Sequence, residues 1–191
     1  MATGYHVAIE KARVTESGGL PDDPQRAVEE LYGTEASSVY RTICAIVLDH
    51  ATAQDLTQET FVRAMRAWGS FDKRNPHGWL IRIASNLAIS HYRTEKRRRA
   101  VPPWLLLTRR RDPGPDDADD KDLVGWLMRP LTPEQRALVV LHYYNQVPRS
   151  EIADMLGIPI GTVASRLSKA MEIMRQRAVV AADAPIGRRE R

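Results

Sequence analysis

Apolar residues recur every three or four positions over residues 25–49, 54–68, 79–99 and 132–144, and no alternating strand pattern stands out. This spacing is typical of helices that bury one face against a core. Residues 50–53 interrupt the pattern and predict a brief connection, with Thr52 as the cap of the next helix. We therefore predict an all-α fold.

The pattern is most specific over residues 149–174, where a short and a longer helix are separated by a tight turn. Ser150 is the predicted N-cap of the first helix, and Gly157 supplies the positive φ with which it ends. The predicted contacts between the two helices are apolar and come from Ile152, Leu156, Ile158, Val163 and Leu167. This arrangement predicts a helix-turn-helix, whose second helix lies in the major groove of DNA.

The outward face of that second helix is polar or basic, with Thr162, Ser165, Arg166 and Lys169. An arginine can donate two hydrogen bonds to guanine, and hydroxyls reach phosphates or base edges. The alternative is an ordinary solvated face, since these residue types are common on any surface. The glycine, the spacing and the polar face together favour DNA binding.

Two further charged groups lie in the N-terminal half. Asp55, Gln58 and Glu59 fall opposite the apolar face of their helix, where they either suit the helix dipole or form a docking patch for a protein. A cationic run, Arg93 and 96–99, ends the third predicted helix. Four consecutive cations exceed what a helix end needs for capping, so we favour contacts with phosphates.

Charge and composition narrow the class of protein. The 191-residue chain has 43% hydrophobic residues, which is ordinary for a globular protein. Its net charge of +4 and its isoelectric point near 9.4 favour a polyanionic partner. Its single cysteine, Cys44, rules out an internal disulfide framework and a cysteine-rich zinc site, and we interpret it as a core residue. No run is long enough for a membrane span and no signal-peptide core is present, so we expect a cytoplasmic protein.

Composition also divides the chain into parts. Residues 1–24 predict a mobile extension, and residues 100–121 a flexible linker in which a basic stretch is followed by aspartates among Pro and Gly. The linker is either a solvated spacer or a segment whose acidic part threads a basic channel. Two small helical domains, 25–99 and 122–178, flank it, and residues 179–191 predict a flexible tail.

Motifs in each half of the chain together resemble a known family, the bacterial group IV or extracytoplasmic function (ECF) σ factors of RNA polymerase. The matching segments are DLTQETF at 55–61, Phe71, WLIRIASN at 79–86, LTPEQR at 131–136, EIA at 151–153 and GTVASRL at 161–167. Their order and spacing agree with the family over most of the chain.

The resemblance implies a σ2 domain at 25–99 and a σ4 domain at 122–178. The σ2 domain would dock on the largest catalytic subunits of core RNA polymerase through Asp55, Gln58 and Glu59. It would recognise and melt the −10 promoter element through Phe71, Asn86, Arg93, Lys96, Arg97 and Arg98. The σ4 domain would bind the double-stranded −35 element through Gly161, Thr162, Ser165, Arg166 and Lys169. The family has no catalytic residue or cofactor, and an anti-σ factor is its usual regulator.

Three rival functions are considered at this point, of which a purely structural helical adaptor is disfavoured by the recognition helix and the basic cluster. An operator-binding regulator would carry a similar helix-turn-helix, although its N-terminal half would not resemble a σ2 domain. A metal-dependent nuclease would have to use Asp116, Asp117, Asp119 and Asp120, but carboxylates in a flexible linker lack the rigid framework that metal catalysis needs.

Overall fold

The computed structural model describes residues 20–98 and 123–182, and in these ranges every regular element is helical. The first three helices are α1, Pro24–Val47, α2, His50–Ala67, and α3, Pro76–Arg98, with a 3-10 turn at Trp68–Ser70 after α2. We call α1–α3 the N-terminal module. The prediction of an all-α fold is confirmed.

The C-terminal module contains four helices and one wide helical turn. They are α4, Leu123–Met128, α5, Pro133–Val139, α6, Arg149–Leu156, and α7, Ile160–Ala182. Between α5 and α6, residues Val140–Tyr144 form a π-helical turn. There the Asn145 N–H donates to the Val140 carbonyl, 2.9 Å away, so one extra residue is accommodated compared with an α-helical turn.

Two predicted helix starts were wrong. Residues 50–53 belong to α2, because Asp49 rather than Thr52 is its N-cap, and its carboxylate accepts from the Thr52 N–H at 2.8 Å. Helix α6 begins at Arg149 after Pro148, so Ser150 lies inside its first turn and caps nothing. In both places the N-cap is a residue further upstream, Asp49 or Pro148. Residue type alone does not show which of several neighbouring residues takes the N-cap position.

Helix α5 begins with a capping box at Thr132. Thr132 accepts from the Gln135 N–H through its hydroxyl, and the Gln135 side chain accepts from the Thr132 N–H. Pro133 occupies the first helical position, where its missing N–H is not needed. This reciprocal capping box fixes the direction in which the chain enters α5.

The core of the N-terminal module lies where the three helices meet. Its fully buried side chains include Val39, Ile43, Ile46, Leu80 and Ile81. Cys44 is half-buried and packs against this core, with its Sγ 3.5 Å from the His50 Nδ1. At one end of the module, Trp68, Phe71 and Trp79 form an aromatic cluster.

The two modules pack directly against each other, and their buried apolar residues form one continuous cluster. The sequence gives no sign of this contact, since apolar positions that face another module look the same as those that face their own. Arg136 of α5 crosses the boundary: it is 7% exposed and donates through Nε to the Ile46 carbonyl near the end of α1. Its Nη1 donates to the Leu131 carbonyl at 2.9 Å.

Two side-chain pairs also join the modules. Asn145 donates from Nδ2 to the hydroxyl of the buried Thr42 at 3.2 Å. Arg93 of α3 forms an ion pair with Glu134 of α5, with 3.2 Å between Nε and Oε1. Burial lowers the pKa of Arg136 to about 10, so the guanidinium stays protonated at neutral pH.

Most of the predicted extension, the linker at 100–121 with its four aspartates, and most of the predicted tail lie outside the described residues. Within residues 20–98 and 123–182, no helix is long and apolar enough to cross a membrane. The same ranges hold no group of three or more His, Cys, Asp or Glu residues placed to bind a metal ion.

Candidate nucleic-acid interface

The helix-turn-helix is built from α6 and α7. Gly157 ends α6 with a φ of 63°, and its N–H donates to the Ala153 carbonyl. A side chain at this φ is strained, which explains the glycine. Ile152, Val163 and Leu167 are buried between the helices, as the pattern predicted. The result is a rigid support for the outer face of α7.

That outer face carries the predicted duplex-binding residues. Gly161, Ser165, Arg166 and Lys169 are exposed, whereas Thr162 is half-buried. The Ser165 hydroxyl donates to the Thr162 carbonyl at 3.2 Å. The α7 face therefore presents a guanidinium and an ammonium group with which phosphates or base edges can be bound.

The predicted protein-docking patch lies on α2. Asp55 and Gln58 are exposed, and Glu59 is half-buried. Glu59 accepts from the Nε of Arg63, one turn later, at 2.8 Å. Because both partners of this ion pair are accessible, it contributes little to stability and can rearrange when a partner binds.

Phe71 lies in the aromatic cluster, where it is 9% exposed. Its ring stacks on Trp79 with 4.3 Å between centroids and 10° between planes. The same loop is stabilised by Asn75, which accepts from the Gly78 N–H at 2.9 Å. A Cβ on Gly78 would lie 2.6 Å from the Asn75 Nδ2, so a larger residue there would displace the Asn75 side chain.

A cleft of about 420 Å³ opens beside the loop. The N-terminal module lines it with Phe71, Asn75, Trp79 and Arg82, among others. The loop is further fixed by Asp72, whose pKa is lowered chiefly by hydrogen bonds from the backbone N–H and side chain of Arg74. Aromatic rings next to a guanidinium and an amide can hold an unstacked base and its phosphate.

Helix α3 presents a polar row beside this cleft. Arg82, Asn86, Ser90 and Arg93 are all exposed and lie three or four residues apart, which places them on one helix face. We predicted Asn86 and Arg93 but missed Arg82 and Ser90, although their spacing from Asn86 was visible in the sequence. The side chains of Lys96, Arg97 and Arg98 lie outside the described residues.

Asn86 and Phe71, both predicted to contact the −10 element, line different cavities. Asn86 lines a smaller cavity of about 60 Å³ between the modules, together with Arg93, Glu134 and Arg166. The structure thus places a predicted −10 residue and a predicted −35 residue next to the same space. This arrangement follows from the packing of the modules and could not be predicted from either motif.

Comparison with known proteins places the two modules in one family. The model of σ-70 region 2 matches residues 31–98, and that of σ-70 region 4 matches residues 127–174. The chain is 33% identical over 149 residues to the RNA polymerase sigma-E factor of Streptomyces antibioticus, covering 78% of this chain and 82% of that protein. The chain belongs to the σ-70 family of RNA polymerase sigma factors.

Other relatives of this sigma factor agree with that assignment. It is 32% identical over 155 residues to the ECF RNA polymerase sigma factor SigC of Mycobacterium tuberculosis, covering 78% of this chain and 82% of SigC. A solved structure with a similar fold is the sigma factor RpoE of Bartonella quintana, crystallised with the anti-sigma factor NepR. Its TM-score is 0.63 at 21% identity, with 80% of this chain and 96% of RpoE covered.

Sigma factors direct core RNA polymerase to promoters, and membership of the family therefore gives this chain a role in promoter-specific transcription initiation. The aromatic cleft, the polar row of α3 and the outer face of α7 are its candidate DNA-binding surfaces.

Proposed function

We propose that this protein is a group IV, or ECF, sigma factor that binds both promoter elements and promotes strand opening, without catalysing covalent chemistry. The observation that carries the proposal is the agreement of two independent features. The family matches coincide with the two modules, and each module bears a polar surface suited to nucleic acid. Residues 25–99 and 122–178 are the proposed σ2 and σ4 domains, which act in the cytoplasm together with the polymerase.

In this proposal, Asp55, Gln58 and Glu59 contact the largest catalytic subunits of core polymerase. Asp55 and Gln58 are exposed on α2, Glu59 is half-buried, and none of the three lines either cleft. This placement supports the role because the polymerase and DNA can then be bound at once. Co-purification with core polymerase tests it. We expect the double variant Asp55→Ala, Gln58→Ala to lose most binding, while Glu29→Ala, an exposed acid on α1, binds normally.

The N-terminal module would hold the melted −10 strand. The half-buried Trp79 lines the cleft and offers an aromatic ring, and Asn86 offers an amide that reads a base edge. Arg93, with the basic run 96–98, would neutralise the adjacent phosphates. We expect Asn86→Ala to reduce permanganate reactivity of promoter thymines more than it reduces formation of the closed complex.

The C-terminal module would read the −35 duplex with α7. Arg166 is the residue with the strongest potential for base discrimination, worth about 1–3 kcal/mol for a bidentate pair with guanine. Arg166→Ala should therefore lower transcription about tenfold or more without changing polymerase binding. Arg175→Ala, an exposed arginine further along α7, is the matched control and should leave transcription unchanged.

The experiment that tests the whole proposal is run-off transcription of fragmented genomic DNA from the source organism by its core polymerase, with and without this protein. New discrete transcripts only in its presence are expected, and their start sites would define both elements. Unchanged transcripts, with no co-purification with core polymerase, would instead favour an operator-binding regulator. An anti-σ factor is the proposed regulator, supported by the complex in which the similar RpoE structure was solved.

A further inference from the structure

The loop between α2 and α3 contains a residue whose backbone is strained. Lys73 has a φ of 60°, in the left-handed region where a side chain crowds the backbone. It lies between Phe71 and Asn75, which both line the 420 Å³ cleft. The backbone conformation of Lys73 therefore sets how these two side chains are placed relative to each other, and strain of this kind is common at functional sites.

The two ends of the loop are fixed by contacts that do not involve Lys73. At the start, Phe71 stacks on Trp79. At the end, His77 lies against α1, with 2.7 Å between its Nδ1 and the Oε2 of Glu35. The middle of the loop, residues 72–74, is exposed, and its first and last residues pair with each other. That pair lies within the loop and does not join it to the rest of the module.

The side chain of Lys73 joins the middle of the loop to the segment that precedes α1. Its Nζ donates to the Oδ1 of Asp22, 51 positions away, and lies 5.8 Å from the centroid of the Trp68 ring. The hydrogen bond from Lys73 is the largest cause of the lowered pKa of Asp22, so the carboxylate is ionised at neutral pH. The contact is therefore a full ion pair.

Asp22 is held in place from both sides. Leu20 is half-buried and packs against the core. Asp23 is the N-cap of α1, and its carboxylate accepts from the Arg26 N–H at 3.0 Å. Exposed ion pairs usually contribute little, partly because two mobile side chains must be ordered. Here the backbone of one partner is already fixed, and the ion pair is comparable in size to the strain at Lys73.

We propose that Asp22 is a positioning residue for recognition of the −10 strand, because through Lys73 it holds the loop in the conformation that lines the cleft. This inference rests on the proposed function, since it assumes that the cleft binds the melted strand. Only molecules with the ordered loop bind the strand specifically, so the apparent dissociation constant rises as that fraction falls. Asp22 thus favours DNA binding although its charge repels phosphates.

The test measures sequence-specific strand binding by holoenzyme assembled from core polymerase and the full chain. The probes are a short fluorescent single strand with the −10 sequence found by run-off transcription, and a scrambled strand of the same composition. The ratio of their dissociation constants, measured by anisotropy, cancels general charge effects. The variants are Asp22→Asn, Lys73→Ala and Lys73→Gly. Glu29→Gln is the matched control, because it removes the same charge from an exposed position of α1.

We expect Asp22→Asn to lower the preference for the −10 strand roughly two- to fivefold, while Glu29→Gln leaves it unchanged. Lys73→Ala should lower it about fivefold, whereas Lys73→Gly should stay within about twofold of wild type, because glycine adopts the left-handed conformation without strain. Adding Asp22→Asn to Lys73→Gly should have no further effect. Equal losses in the alanine and glycine variants, or an unchanged preference in Asp22→Asn, overturn the proposal.

Hydrogen exchange of the full chain separates this proposal from the proposed function. The Arg74 N–H donates to the Asp72 Oδ1 at 3.1 Å, so protection of this amide reports the order of the loop. We expect Asp22→Asn to reduce the protection about two- to fivefold. Reduced protection with no transcripts from any form supports the positioning role and refutes the sigma-factor role. Normal transcripts with unchanged protection refute the positioning role alone.

Discussion

Arg136 offers a quantitative test of how the two modules are joined. Its guanidinium is almost fully buried and donates hydrogen bonds to two main-chain carbonyls, those of Ile46 and Leu131. A hydrogen bond to a charged group contributes about 1.5–3 kcal/mol. Against this, burial lowers the pKa of Arg136 from its usual value to about 10, which corresponds to a burial cost of roughly 3 kcal/mol. The net contribution of the buried charge is therefore small.

This balance predicts an unusual order of stabilities. Arg136→Met removes the hydrogen bonds and the burial cost together, so we expect a loss of about 1–2 kcal/mol in the free energy of unfolding. Arg136→Lys keeps a buried charge but lacks the planar fork that reaches both carbonyls, and we expect a loss of about 2–4 kcal/mol. The chemically conservative change is thus the more damaging one.

Urea unfolding followed by far-ultraviolet circular dichroism measures both variants. Arg149→Met, at an exposed position of α6, is the control and should change stability by less than about 0.5 kcal/mol. The reasoning is refuted if Arg136→Lys is as stable as wild type, or if Arg136→Met is clearly the less stable of the two.

Three further predictions concern local structure. Thr132→Ala removes half of the capping box and should cost about 1 kcal/mol in urea unfolding; no change would mean that packing alone fixes α5. Gly157→Ala should lower the free energy of unfolding by about 1–2 kcal/mol because of its positive φ. Gly161→Ala, with open space around it, is the control and should not destabilise the fold. Equal effects of the two changes would contradict the reasoning. Asp72 has a pKa below the usual 3.8, so its carboxylate stabilises the loop above that pH and the contribution is lost as pH falls through the folded-state value. Asp72→Asn should therefore be less stable than wild type near neutral pH, with the difference shrinking in acid; a constant difference would exclude the charge as its cause.

The helices and the helix-turn-helix could be predicted from sequence because each depends on residues close together in the chain. The stripe of Ile152, Val163 and Leu167 specifies one buried face, and Gly157 is the residue type that most often ends a helix with a positive φ. The capping box at Thr132 is equally local. The candidate DNA-binding residues on α7 could be predicted from the same periodicity, because they occupy the face of that helix that is not buried.

The contact between the modules could not be predicted in this way. Thr42 and Asn145 are 103 positions apart, and nothing in either neighbourhood marks them as partners. Arg136 illustrates the same difficulty, because an arginine in a polar motif is normally expected at the surface. The burial of Phe71 was missed for a related reason: its stacking partner, Trp79, is close in sequence, but the geometry that joins them depends on the turn between α2 and α3.

The π-helical turn at Val140–Tyr144 lets the chain hold one residue more than an α-helical turn would. An α-helix advances roughly 100° per residue, so an extra residue inside an unbroken α-helix would rotate everything after it by about that angle. Here the wider turn takes up the extra residue, and Asn145, which follows it, still faces Thr42. A one-codon deletion within the turn should therefore be absorbed by its conversion to an α-helical turn, whereas the same deletion inside α7 would turn the residues on its two sides to different faces of the helix. The wide turn thus makes this stretch of the chain more tolerant of a change in length than the helix that follows.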